Sequence, residues 1–233
     1  VLVYGAHLGI AGSAWGTVIA QIGAAGAFAA ITRRAVRASG ASLAADPEAI
    51  RATAVVGAHL VVRTAALLAA FLAAAGVAAR VGDAAIAAHQ VAWQVWIFCA
   101  FALDAIAIAG QAIVGRALGA ADGDAARAVT TRMLWWGWWS GVVAGAVVVV
   151  LHGPLAALFT GDPGVRSLLG RTLCVVGVMQ PVAGLVFVLD GILIGAGDAR
   201  YLARAMVAAT SLYLVVLLTV RGAGGGQIGR AHV

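Results

Sequence analysis

Six stretches of this sequence, 9–31, 52–79, 84–114, 133–151, 165–196 and 201–220, run long and apolar with little internal charge. A helix that crosses a hydrocarbon core of about 30 Å needs about 20 mainly apolar residues. Each stretch meets that length, and several exceed it, so tilting or kinking is expected. Pro181 supplies a kink in the fifth, because its ring removes one backbone hydrogen bond. With 63% apolar residues, 10% charged residues and a mean hydropathy of +1.02, the chain fits neither a water-soluble domain nor a disordered one. Continuous apolar runs also differ from the alternating short strands of an outer-membrane barrel. The expected fold is all-α: a polytopic transmembrane bundle of about six spanning helices.

The charges sit mostly in the short connections. Arg33, Arg34, Arg37 and Arg51 lie between the first two segments, Arg116, Arg127 and Arg132 between the third and fourth, and Arg200 and Arg204 between the last two. The opposite connections hold Arg80 and Arg166, with Arg171 and Arg221 as outliers. Positive charge marks the cytoplasmic side, so 33–51 is expected inside and 80–83 outside. The polar stretch 32–51 reads as a linker, with a helix starting at Asp46 and Pro47 in its first position. Pro163-Gly164 and Gly195 to Asp198 read as turns. Trp135, Trp136, Trp138 and Trp139, just after Arg132, read as an interfacial aromatic belt. Gly137, Gly141 and Gly145 are spaced four apart, which permits close helix approach, although a chain with 31 glycines produces such spacing by chance.

Two features mark the ends. The sequence starts at Val1 without a charged leader, as if cut from a longer chain, and the residues from Gln227 to Val233 resemble a translated sequencing adapter; 221–233 is expected to be non-native. Cys99 and Cys174 lie in apolar runs without metal or disulfide spacing and read as packing residues.

Polar groups within the spans carry the functional reading, because a mid-bilayer charge is costly and normally faces protein or water. Gln90, Gln94, Asp104 and Gln111 fall within an arc of about 100° on the third segment. They are the expected lining of a water-accessible cavity; the competing reading is hydrogen bonding between helices. Arg63, eleven residues into the second segment, calls for an internal carboxylate, either Asp104 or Asp190. His59, one turn earlier, is either a titrating group or a packing histidine. Gln180 and Asp190 flank Pro181 and belong to the same candidate set. Trp93 either faces lipid or lines the cavity. A buried carboxyl has a raised pKa, which a neighbouring arginine lowers again, and this is the chemistry of a proton-coupled transporter. No catalytic motif or metal-spaced cluster is present, so neither an enzyme nor a metal site is expected, and no cofactor is implied. No soluble basic domain for nucleic acid is present.

Six stretches bear a family likeness. Ala87-Ala88-His89-Gln90-Val91, Leu103-Asp104-Ala105-Ile106-Ala107-Ile108-Ala109-Gly110-Gln111 and Val114-Gly115-Arg116-Ala117-Leu118-Gly119-Ala120 resemble the multidrug and toxic compound extrusion (MATE) family, DinF-like branch. Phe187 to Asp198 resembles that branch's tenth helix, Gly9 to Thr17 its sixth, and Arg63-Thr64 its seventh. The resemblance implies helices six to eleven of a twelve-helix transporter: 1–32 as the last helix of the first lobe, 33–51 as a cytoplasmic inter-lobe linker, and 52–220 as most of the second lobe. It implies alternating-access export of cationic, lipophilic small molecules in exchange for protons or sodium, from a bacterial inner membrane, by a monomer. In the DinF-like branch the ion-coupling acid lies on the first helix, so Asp104 and Asp190 are candidates from depth and facing alone. A lipid-linked oligosaccharide flippase of the same superfamily, or a transport-inactive membrane fragment, is the alternative.

Overall fold

The computed structural model describes residues 9–40 and 46–228, with the backbone alone at residue 39 and at 220–228. Within them the chain is a succession of helices: α1 (Gly9–Ser39), α2 (Pro47–Val81), α3 (Asp83–Gly119), α4 (Gly123–Phe159), α5 (Pro163–Gly195) and α6 (Ala199–Ile228). All six are long and apolar enough to cross a membrane. The start at residues 1–8, the connection 41–45 and the end of the adapter-like tail at 229–233 lie outside the described residues.

The helices are longer than the apolar runs. Arg33, Arg34 and Arg37 are on α1, Arg116 is on α3, and Asp124, Arg127 and Arg132 are on α4, where loop positions were expected. Helix α6 continues past Val220 to Ile228. Alanine and arginine are good helix formers, so nothing in these connections stops a helix once it leaves the apolar layer. What does mark the boundaries is aspartate. The Asp46 carboxylate accepts the Glu48 and Ala49 amides, as Asp122 accepts Ala125 at 2.9 Å, Asp162 accepts Val165 at 2.9 Å and Asp198 accepts Tyr201 at 3.0 Å. These are N-caps, each of which contributes about 1 kcal/mol. Pro163-Gly164 is accordingly the first turn of α5 and not a free turn. The Gly195–Asp198 turn does form, with Gly197 at φ 78°.

The chain divides into two compact units, Val1–Arg51 and Ala52–Val233. The first, as described, is helix α1 with the following Gly40, then Asp46 and the opening residues of α2 as far as Arg51. In the second, α5 is central and packs along both α3 and α4.

Glycine makes those contacts possible. A Cβ placed on Gly137, Gly141 or Gly145 of α4 would come within 3.0 Å of the carbonyl oxygens of Gly184, Gln180 and Gly177 of α5. On the other side of α5, a Cβ on Gly191 or Gly195 would strike the backbone of Ala107 or Gln111 of α3. The four-residue glycine spacing on α4 is therefore the packing seam, and no longer a matter of composition. These contacts also set the register. Helices α3 and α5 run parallel, with Gly191 beside Ala107, whereas α4 and α5 run antiparallel, with Gly141 beside Gln180. Leu169, Leu173, Ala88, Ala92 and Val148 fill the core at one end of the seam; Val114, Val188 and Ile192 fill the other.

Candidate functional site

Helix α2 joins the bundle through polar and aromatic contacts. Arg63 and Asp190 of α5 form a two-pronged ion pair: the guanidinium Nε donates to Oδ1 at 3.0 Å, and a terminal amine donates to Oδ2. The two side chains are only 20% and 21% exposed. Of the two carboxylates expected as partners for Arg63, Asp190 is the one in contact. The planar guanidinium fork matches both carboxylate oxygens, which fixes the rotation of α2 as well as its distance. One turn further along, the hydroxyl of Thr210 on α6 donates to the Ala66 carbonyl of α2 at 3.2 Å.

Beneath the ion pair lies an aromatic cluster. Phe71 of α2 meets Trp93 and Trp96 of α3 edge-on, with ring centroids 4.2 and 5.7 Å apart, and Trp96 reaches Phe187 of α5 at 6.1 Å. Trp93 and Trp96 stack on each other at 5.1 Å. Trp93 is thus part of an inter-helix aromatic cluster and is half-buried. Phe71 and Phe187 carried no signal in the sequence that would pair them with tryptophans on a third helix.

The stripe on α3 does not share one environment. Gln90, Gln94 and Asp104 are exposed on the side of α3 turned away from its buried residues, while Gln111 is half-buried with its backbone against Gly195. Gln94 borders a groove of about 480 Å³ between α3 and α4 whose other walls are almost entirely apolar, including Val95, Phe98, Val147 and Leu151. The expected polar cavity along the whole stripe is therefore not what these two helices enclose: the same spacing that aligns the four side chains on α3 lets neighbouring helices surround each differently. Gln180 has different surroundings again. It is 1% exposed and lies in the α4–α5 seam against Gly145, with its Oε1 unpartnered among the described residues. Its position between glycine backbones separates it from the exposed stripe. His59 is half-buried one turn before Arg63.

The α3–α5 register brings the two acids to nearly the same depth. Asp190 is level with Ile106, two residues from Asp104, or about 3 Å along the helix axis. Asp190 is neutralised by Arg63. Asp104 is exposed near the middle of α3, with no ion-pair partner among the described residues. Among the described residues, these two acids and one base leave a single carboxyl without an ion-pair partner. No group of three or more potential metal ligands occurs among the described residues.

The MatE family model matches residues 60–219, more than half of the chain. The chain belongs to the MatE family. MatE relatives include DNA damage-inducible protein F of Escherichia coli (strain K12), 31% identical over 231 residues that cover 94% of this chain and 49% of that protein. Two relatives from Arabidopsis thaliana are Protein DETOXIFICATION 44, chloroplastic, 35% identical over 72% of this chain and 33% of the relative, and Protein DETOXIFICATION 43, 33% identical over 70% and 31%. The chain spans about a third to a half of the length of these relatives. The MatE match runs from α2 through most of α6 and so includes Arg63, Asp104 and Asp190. The protein is a multi-pass membrane protein of this family.

Proposed function

We propose that the chain is part of a secondary active antiporter that exports cationic, lipophilic compounds in exchange for protons or sodium by alternating access. The observation that supports this most is the unbalanced charge at mid-span: Asp190 is held by Arg63, and Asp104 at the same level is left over. A carboxylate without a fixed counter-charge is a site where either a proton or a cation can bind. If the two compete for Asp104, uptake of one releases the other, which is the chemical core of exchange. Two acids against one arginine favour a cationic cargo over the anionic pyrophosphate of a lipid-linked sugar. Gln90 and Gln94, on the same exposed face, supply amide dipoles for a passing cation. In this reading the Arg-rich 33–51 connection lies in the cytoplasm of a bacterium and the protein resides in its inner membrane.

In the complete transporter carrying this sequence, Asp104→Asn is expected to lower proton-driven ethidium efflux from membrane vesicles by about tenfold or more, equivalent to about 1.4 kcal/mol of lost coupling. Arg80→Gln, at the end of α2, serves as the control that leaves efflux intact. Efflux that is indifferent to both the proton gradient and Asp104→Asn would overturn the coupling role of this residue.

A further inference from the structure

The α4–α5 hairpin ends in a second polar site that plays no part in the exchange scheme. A concavity of about 420 Å³ is lined by His152, Gly153 and Ala156 of α4 and by Pro163, Arg166, Ser167, Gly170 and Arg171 of α5. We propose that it binds the phosphate of an anionic phospholipid headgroup.

Pro163, Ser167, Gly170 and Arg171 of α5 recur at three- and four-residue spacing, and Arg166 stands beside them, so both arginines border the same concavity. Neither arginine forms an ion pair among the described residues. The nearby acid, Asp162, is occupied as the N-cap that accepts the Val165 amide. Across the concavity, the His152 ring is anchored by its Nδ1–H, which donates to the Val149 carbonyl at 2.7 Å. Its Cδ2 lies over Gly170, where an added Cβ would be in ordinary contact at 3.5 Å. The imidazole therefore forms a fixed wall and the two guanidinium groups form the charged rim. Guanidinium forks and a serine hydroxyl are the donor set that phosphate oxygens take best.

Depth selects a lipid over a free ion. The exposed tryptophans at 135–139 mark one bilayer boundary on α4, and about 20 residues further along, near Leu158, lies the other. The seam register, with His152 beside Gly170, sets Arg171 level with Leu151. Arg171 is thus about 10 Å inside that second boundary. An unpaired arginine there draws an anion down to it or reaches up to one. Below it the exposed Val175 and Val150 continue as an apolar surface for acyl chains. Under the orientation proposed above, this is the outer leaflet.

The test is native mass spectrometry of the 233-residue chain released from bilayers of equal phosphatidylglycerol and phosphatidylcholine. Retention of one phosphatidylglycerol in clear preference to phosphatidylcholine is expected. Arg166→Gln with Arg171→Gln should reduce that retention about tenfold, whereas Arg80→Gln leaves it unchanged and Arg171→Lys keeps most of it. Equal retention of the two lipids by the unaltered chain, a reading that needs no variant, would overturn the proposal. So would undiminished retention by the double variant. Displacement of the lipid by millimolar inorganic phosphate would overturn the lipid assignment in favour of a soluble oxyanion.

Discussion

Gly141→Leu is expected to prevent the α4–α5 hairpin from closing and to leave almost no folded protein. An added Cβ at this position meets the Gln180 carbonyl oxygen and the Pro181 Cα within 3.0 Å, and both are backbone atoms that cannot rotate aside. Each further carbon of leucine has to push the helices apart. The contact lies midway along a seam that also unites Gly137 with Gly184 and Gly145 with Gly177, so separation at one point loosens all three. Close backbone approach is a main source of helix attachment in lipid, where apolar surface gains nothing by leaving the bilayer. Overpacking usually costs about 1–3 kcal/mol, and a rigid backbone seam lies at the upper end or beyond. Gly153→Leu, where nothing lies within 4 Å of an added Cβ, is the matched control. Thermal unfolding of the purified variants in detergent, followed by tryptophan fluorescence, checks this. A Gly141→Leu variant that melts with the parent would contradict the seam.

Arg63→Leu should have the next largest effect. Removing the guanidinium leaves the Asp190 carboxylate one-fifth exposed and unpaired beside apolar helices. Breaking a fully buried pair costs about 3–5 kcal/mol; partial exposure here reduces that to about 2–3 kcal/mol. Replacing both partners by leucine removes the stranded charge together with the attraction. Arg63→Leu with Asp190→Leu should therefore recover most of the lost stability, since the aromatic cluster of Phe71, Trp93, Trp96 and Phe187 still holds α2 to α3 and α5. The same unfolding measurement distinguishes the cases. A double variant as unstable as the single one would show that the pair acts by specific attachment and not by charge balance.

The six spans were legible because length and hydropathy alone determine them. Their ends were not. Residues such as Arg116 and Arg127 read as loop by charge, yet a helix continues through them until an aspartate cap or a left-handed residue intervenes, as at Asp122 and Ala121. The glycines at 137, 141 and 145 were visible as a spacing, but only the opposing glycines at 177 and 184, on another helix, distinguish a seam from a glycine-rich composition. The α3 stripe shows the same limit. Periodicity places Gln90, Gln94, Asp104 and Gln111 on one side of their own helix, and says nothing about what faces that side. Gln94 ends on an apolar groove and Gln111 against α5. Arg63 likewise had two acids at one depth available to it. The choice of Asp190 rests on how α2 sits against α5, which no local pattern encodes. Trp93 was assigned by depth alone, and depth does not reveal Phe71.

Water access at residue 104 is the most direct measurement. With Cys99 and Cys174 replaced by alanine, a nitroxide on Asp104→Cys in the bilayer-embedded complete transporter should collide more often with a water-soluble nickel chelate than with oxygen. A nitroxide on Val143→Cys, at an exposed apolar position of α4, should show the reverse. An oxygen-dominated signal at 104 matching that at 143 would place the carboxyl against acyl chains, and exchange at Asp104 would be contradicted.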